Sequence, residues 1–184
     1  MISIEQLWIP IVLSAVLVFV MSSLIHMVFK WHNSEYHGFA NEDEVRRALR
    51  ASAPGQYMVP YCTDQKDIKK PEVQQKFVEG PVGMIALRTP GPPTMGPMLG
   101  QWFALNLVVA IVAGYLACKT VPVGASFLAV ARVVSLTTFL AYAAGSVTDG
   151  IWWGRPWSAV AKELLDAFIY GLMTSAAFGW LWPR

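Results

Sequence analysis

The sequence is poor in charge and in cysteine, and it holds none of the short motifs that mark familiar chemistry. Charged residues make up 14% of its 184 positions, where soluble domains carry about 25%. Its basic residues form no clustered patch. Nine of the fourteen Lys and Arg fall between Lys30 and Arg88, beside eight of the twelve acids. Nucleic-acid binding needs a concentrated basic face, so the net charge of +2 does not point to nucleic acid. The two cysteines, Cys62 and Cys118, form no CxxC and no disulfide framework.

Motifs are missing as well. There is no Gly-rich phosphate loop ending in Lys-Ser/Thr, no GxSxG, no HExxH, no CxxCH and no dinucleotide fingerprint. The glycines from Gly91 to Gly100 alternate with prolines, which lack the N–H groups a phosphate cradle needs. Nucleotide-driven and hydrolytic roles therefore have no support. No cofactor is implied by motif, and these absences lean away from an enzyme.

What the chain has in quantity is apolar sequence: 55% hydrophobic residues and a mean hydropathy of +0.44. A bilayer core of about 30 Å takes roughly 20 apolar helical residues. Four windows approach that length: Leu7–Phe29, Trp102–Cys118, Ala125–Val147 and Leu164–Trp182. Lipid cannot satisfy open backbone groups, so each run is predicted to be helical. The fold expected is an all-α integral membrane protein with four transmembrane helices. A small mixed α/β cytoplasmic segment separates the first helix from the second.

In this division residues 1–29 hold the outer N-terminus and the first helix, 30–100 the cytoplasmic segment, and 101–184 helices 2–4. Those three helices are expected at about 102–118, 125–147 and 160–182. The N-terminus lacks a basic n-region and a small-x-small cleavage site, so its apolar run is expected to be a retained span.

Tryptophan supports the windows independently, because its ring favours the headgroup level. Trp8 and Trp31 bracket the first window, Trp102 opens the second, and Trp180 and Trp182 close the fourth. Trp152, Trp153 and Trp157 lie in the third connection. Orientation follows from basic residues. The stretch from Lys30 to Arg88, with Arg155 and Lys162, holds eleven of the fourteen Lys and Arg on one side. The positive-inside rule puts that side in the cytoplasm and both termini outside, in a bacterial inner membrane. Cys62 and Cys118 then fall on opposite sides.

The cytoplasmic segment carries local signals of order. Asn41 before Glu42, Asp43 and Glu44 reads as a helix N-cap with a capping-box glutamate, opening a helix over about 41–53. A second helix is expected over 71–79 behind Pro71, and short strands over 57–59 and 84–87. Residues 89–100 pack four Pro and three Gly into an extended connector.

Three windows place small or polar residues at every fourth position. The fourth has Ala167, Gly171, Ser175 and Gly179; the second has Asn106, Ala110, Gly114 and Cys118. The third has Ala125, Ala129, Thr137, Ala141 and Gly145, interrupted by Val133. Such stripes let helices approach closely where lipid offers no hydrophobic drive. They serve equally for packing within the chain, self-association or contact with other membrane subunits.

Ionisable residues in or beside a span are functional candidates. Counting 1.5 Å per residue puts His26, Asp149, Lys162, Glu163 and Asp166 at the cytoplasmic edge, with Arg132 deeper in the third span. His26, Asp149 and Asp166 could form a proton relay or cation site, or simply hydrogen-bond at the interface. Arg132 either snorkels to the outer headgroups or meets an anionic group. His32 and His37, with Glu35 between them and His26 upstream, suggest a metal site, since imidazole suits zinc, copper or iron. Their spacing matches no established metal pattern.

Three functions follow from these readings. The first is a non-enzymatic accessory or scaffold subunit of a larger membrane complex, one that could be energy-transducing. The second is a small oligomeric transporter or channel for protons or cations using His26, Asp149 and Asp166. The third is a membrane metalloprotein built on His26, His32 and His37.

Overall fold

A computed structural model describes residues 2–184, apart from the side chain of Gln65. The chain is mostly helical, at 70%, with one small two-stranded sheet among the described residues. Three helices there are long and apolar enough to cross a membrane: Ile4–Phe29, Gly96–Thr120 and Phe127–Trp153. The fourth long helix, Trp157–Trp180, matches them in length but carries Lys162, Glu163 and Asp166 in its first three turns.

The first rod changes its winding along its length. A 3-10 turn at Ile4–Leu7 leads into α1, Trp8–Ser23, and a π-helical stretch at Leu24–Phe29 finishes it. Lys30 then donates its N–H to the Ile25 carbonyl, five residues back, and adopts φ 54. A left-handed residue just past a helix reverses the chain. The reversal leads directly into a 3-10 turn, Trp31–Glu35.

The chain divides into two units, and the first comprises the stretch up to Tyr36, Thr94–Ile151 and Arg155–Arg184. The second is His37–Pro93 with Trp152–Gly154. In the second unit, α2 spans Glu42–Leu49, with acids in its first turn and Arg46 and Arg47 in its last, which suits the helix dipole. Asn41 is its N-cap residue, but its side chain does not bond the backbone. Its amide donates to Glu44 instead, at 3.1 Å, so the expected capping box does not form. Strand β1, Gly55–Val59, pairs antiparallel with β2, Gly83–Leu87, from Gly55 opposite Leu87 to Val59 opposite Gly83. Between them lie α3, Gln65–Ile68, and α4, Pro71–Glu79.

In the first unit, α5 is Gly96–Thr120, α6 is Phe127–Trp153 and α7 is Trp157–Trp180. All three reach beyond the apolar windows, α7 by starting at Trp157 rather than near Leu164. Helix α5 starts inside the Pro/Gly connector, because Pro97 lies in its first turn, where a missing N–H leaves no intrahelical bond unmade. Helix α6 continues about two turns past Val147, to Trp153.

Helix α1 packs along both α5 and α7. At the end where α1 begins, Leu7, Ile11, Ala113, Ala117, Val130 and Phe178 form a closed apolar core. The small-residue stripe of α7 packs within the chain, against α6. A Cβ on Gly171 would stand 3.1 Å from the Ser135 carbonyl oxygen, and one on Gly179 would strike the Phe127 ring. The Ser175 hydroxyl lies 3.4 Å from the Ala131 carbonyl, and Ala167 is fully buried. Gly114 of α5 closes likewise on Phe178 and Ile11. Gly145 has nothing within 4 Å of its Cβ position. Gly171→Leu is therefore expected to lower stability by about 1–3 kcal/mol through forced separation of α6 and α7. Gly145→Leu is expected to leave it unchanged, as thermal unfolding in detergent will show.

Candidate metal centre at the end of the helix bundle

Three local features bring one histidine to the start of α7. The π-helical stretch ends α1 one residue out of α-helical phase, Lys30 turns the chain back, and the 3-10 turn points His32 inward. His32 is 7% exposed. Its Nε2 lies 2.8 Å from Asp166 Oδ2 and its Nδ1 lies 2.6 Å from Glu35 Oε1. Ionised carboxylates only accept hydrogen bonds. Two such partners therefore make His32 a doubly donating imidazolium, unless one carboxyl group holds the proton.

The surrounding charges complete a network. Lys162 donates to the Trp31 carbonyl and to the Ser34 hydroxyl, each at 2.7 Å, and lies 3.6 Å from Glu35 Oε1. Arg155, in the turn between α6 and α7, donates to Glu163 and lies 3.6 Å from Glu35 Oε2. The hydrogen bond to Glu163 raises the already high pKa of Arg155 further, against its partial burial. With His32 protonated, three cations (His32, Lys162 and Arg155) face three anions (Glu35, Glu163 and Asp166). A buried network needs that balance, since an uncompensated charge costs several kcal/mol.

His26 approaches the same point from the π-helical stretch. Its ring stacks on that of His32 with centroids 4.7 Å apart and planes 5° from parallel. Its Nδ1 lies 2.9 Å from the Ser22 carbonyl. A carbonyl only accepts, so Nδ1 carries the hydrogen and Nε2 holds the lone pair, a tautomer assigned from the partner. One donor atom each from His26, His32 and Asp166 lies within 4.8 Å of the others. Among the described residues, this is the group placed to share an ion.

Asp166 is 4% exposed, and its Oδ1 has no hydrogen-bond partner. The Trp31 indole lies beside this carboxylate, yet Trp31 Nε1 also lacks a partner in hydrogen-bonding geometry. The distance and angle decide here: the two are neighbours without a formed bond.

A cavity of about 480 Å³ reaches the cluster and is lined by both His26 and Asp166. Its aromatic wall is Trp102, Tyr142 and Tyr170, with ring centroids 5.2–6.2 Å apart. The polar groups of two of them are already engaged. Trp102 Nε1 donates to the Ser22 hydroxyl at 2.8 Å, and the Tyr142 hydroxyl donates to Asn106 Oδ1 at 2.8 Å. Open groups of His26 and Asp166 beside the cavity include Asp166 Oδ1 and, in the neutral ring, the lone pair of His26 Nε2.

The other residues singled out from sequence lie elsewhere. His37 is exposed and belongs to the second unit. Asp149 is half-buried; its backbone carbonyl accepts from the Arg155 N–H, and its side chain is outside the clustered donors. Arg132 is exposed on α6, and no ion pair holds it among the described residues. Cys62 and Cys118 are free thiols. Sequence reasoning did not single out Ser22, Tyr142 or Tyr170, and it read Trp102 only as a marker of a helix end. For Ser22, the signal was its position four residues before His26.

Comparison with protein families, curated proteins and solved structures finds no match to this chain.

Removing His32 leaves Glu35 and Asp166 facing a gap without their shared donor. His32→Ala is expected to cost about 3–5 kcal/mol. In a double-mutant cycle with Asp166→Asn, the combined loss should fall short of the sum by about 0.5–3 kcal/mol. Thermal unfolding of the four proteins in one detergent measures both quantities.

Proposed function

We propose that this chain is a four-span protein of a bacterial inner membrane that binds a cation at the cytoplasmic edge of its helix bundle. The observation that carries the reading is the pair of open lone pairs, His26 Nε2 and Asp166 Oδ1, at the wall of one cavity. Open lone pairs on a buried carboxylate and an imidazole suit a positively charged guest.

The fourth span in this proposal is α7. Its composition is too charged to be apolar throughout, yet Lys162, Glu163 and Asp166 each have a partner inside the chain. Ionisable residues in a spanning helix are tolerated on those terms. Exposed indoles support an interfacial setting at both ends of the first unit: Trp8 and Trp180 at one, Trp157 at the other. The excess of Lys and Arg between Lys30 and Arg88 supports both termini outside.

The binding reading fits better than the scaffold or transport readings. The stripe of Ala167, Gly171, Ser175 and Gly179 packs against α6, so it no longer argues for another subunit. The apolar core around Leu7, Ile11 and Phe178 fills the space between helices where α1 begins, which counts against an aqueous path through a single chain.

Two measurements test this. Tag-free protein purified from native membranes should carry one cation per chain by elemental analysis and native mass spectrometry. That cation should be lost in Asp166→Asn, and wild-type protein without any stoichiometric cation overturns the reading. For orientation, a membrane-impermeant maleimide should label Cys62 in inverted vesicles and leave it unlabelled in intact spheroplasts. The reverse pattern overturns the assigned topology.

A further inference from the structure

We infer that the cation is a divalent first-row transition metal, held by His26 Nε2, His32 Nε2 and the Asp166 carboxylate. This rests on the cation-binding reading and goes beyond it by naming the ion class and its ligands. The argument begins with the nitrogens that do not bind. A metal-ligating imidazole almost always donates its other ring N–H to a carboxylate or carbonyl, which fixes both tautomer and ring direction. Both histidines have that partner in place: Glu35 for Nδ1 of His32 and the Ser22 carbonyl for Nδ1 of His26. Each ring is thereby left with Nε2 as its ligating atom.

Closure around an ion needs a turn of the exposed His26 ring, because rings stacked 5° from parallel do not aim both lone pairs at one point. Metal–nitrogen and metal–oxygen bonds of about 2.0–2.2 Å put neighbouring donors of a tetrahedral site roughly 3.3–3.5 Å apart. One ligand atom from each of the three residues lies within 4.8 Å of the others, and His32 Nε2 and Asp166 Oδ2 are already 2.8 Å apart. An ion entering between them replaces the hydrogen on His32 Nε2, and that proton leaves to solvent. It also supplies the partner that Asp166 Oδ1 lacks.

Two imidazoles and one carboxylate set the ion class. Magnesium and calcium call for sites built of oxygen, whereas imidazole favours zinc, iron, nickel and copper. Three protein ligands fall one short of a closed structural zinc site. The remaining position borders the cavity lined by His26 and Asp166, where water or a small ligand can reach the ion. Both nitrogen ligands sit on the stretch from Leu24 to Glu35, so its π-helical and 3-10 turns set their approach to Asp166.

The test uses tag-free full-length protein in detergent, stripped with a chelator and titrated with Zn²⁺ by calorimetry and with Co²⁺ by visible absorption. One ion should bind per chain, and saturating Zn²⁺ should raise the unfolding temperature. His26 is exposed, so His26→Ala should fold. It should weaken Zn²⁺ binding by more than about 100-fold, because loss of an outer-shell partner alone costs about 10–100-fold. Glu35→Gln should fall in that smaller range, and His37→Ala should bind as wild type. Zn²⁺ binding that survives His26→Ala, or that requires His37, overturns the assignment. A stoichiometric alkali or organic cation without one-to-one uptake of Zn²⁺ and Co²⁺ overturns the metal assignment alone. Absence of any cation overturns both it and the binding reading.

Discussion

The contact between His32 and Asp166 joins residues 134 positions apart in sequence, and the end of the bundle is organised around it. It ties the turn after α1 to the first turns of α7. The same turn supplies Glu35, on which Lys162 and Arg155 converge, and the Trp31 carbonyl, which receives Lys162. Stacking of His26 on His32 then brings a second imidazole to the same carboxylate. Each of these groups would be expensive to bury alone. Together they form a balanced set, and that balance lets a charged helix start pack inside an otherwise apolar bundle.

The two ends of the bundle answer to different physics. Where α1 begins, stability comes from close apolar packing, with Gly114 and Gly179 allowing Phe178, Ile11 and Phe127 to fill the space between backbones. Where α1 ends, polar groups replace that packing, and the helices separate enough to leave a cavity. The aromatic trio of Trp102, Tyr142 and Tyr170 lies at the boundary. Its rings continue the apolar core while two of its polar atoms bond Ser22 and Asn106. The cavity lined by His26 and Asp166 lies at the polar end.

Much of this frame was legible in the sequence, for reasons of length and periodicity. Long apolar runs made helices the expected structure, and fourfold spacing of small residues announces close packing. Residues 57–59 and 84–87, read as strands, fall within the β1–β2 pair. Helix ends were less legible. Pro97 looked like part of a connector yet sits in the first turn of α5, where proline is at home. Asn41 had the right chemistry for a cap, but its side chain bonds Glu44 rather than the backbone. Counting rise per residue put His26, Asp149 and Asp166 at one level, and it could not say which faces meet. His37 lies five residues beyond His32 and offered the same chemistry on paper. What separates them is the path of the chain, which leaves the bundle unit after Tyr36, and no hydropathy pattern encodes that path.

The π-helical stretch at Leu24–Phe29 makes chain length itself a functional variable. A turn closed by a bond from Lys30 back to Ile25 holds one residue more than an α-helical turn does. Deleting any single residue there would let the segment relax to ordinary α-helix. A further inserted residue, taken up as α-helix, would instead swing everything downstream by about 100° around the rod. His32 would leave Asp166 although neither residue had changed, and Glu35 would leave its two cations with it. The number of residues in this stretch therefore bears on the site as directly as the His26 side chain within it does. Its spacing, along with its composition, is the trait by which such a site would be inherited.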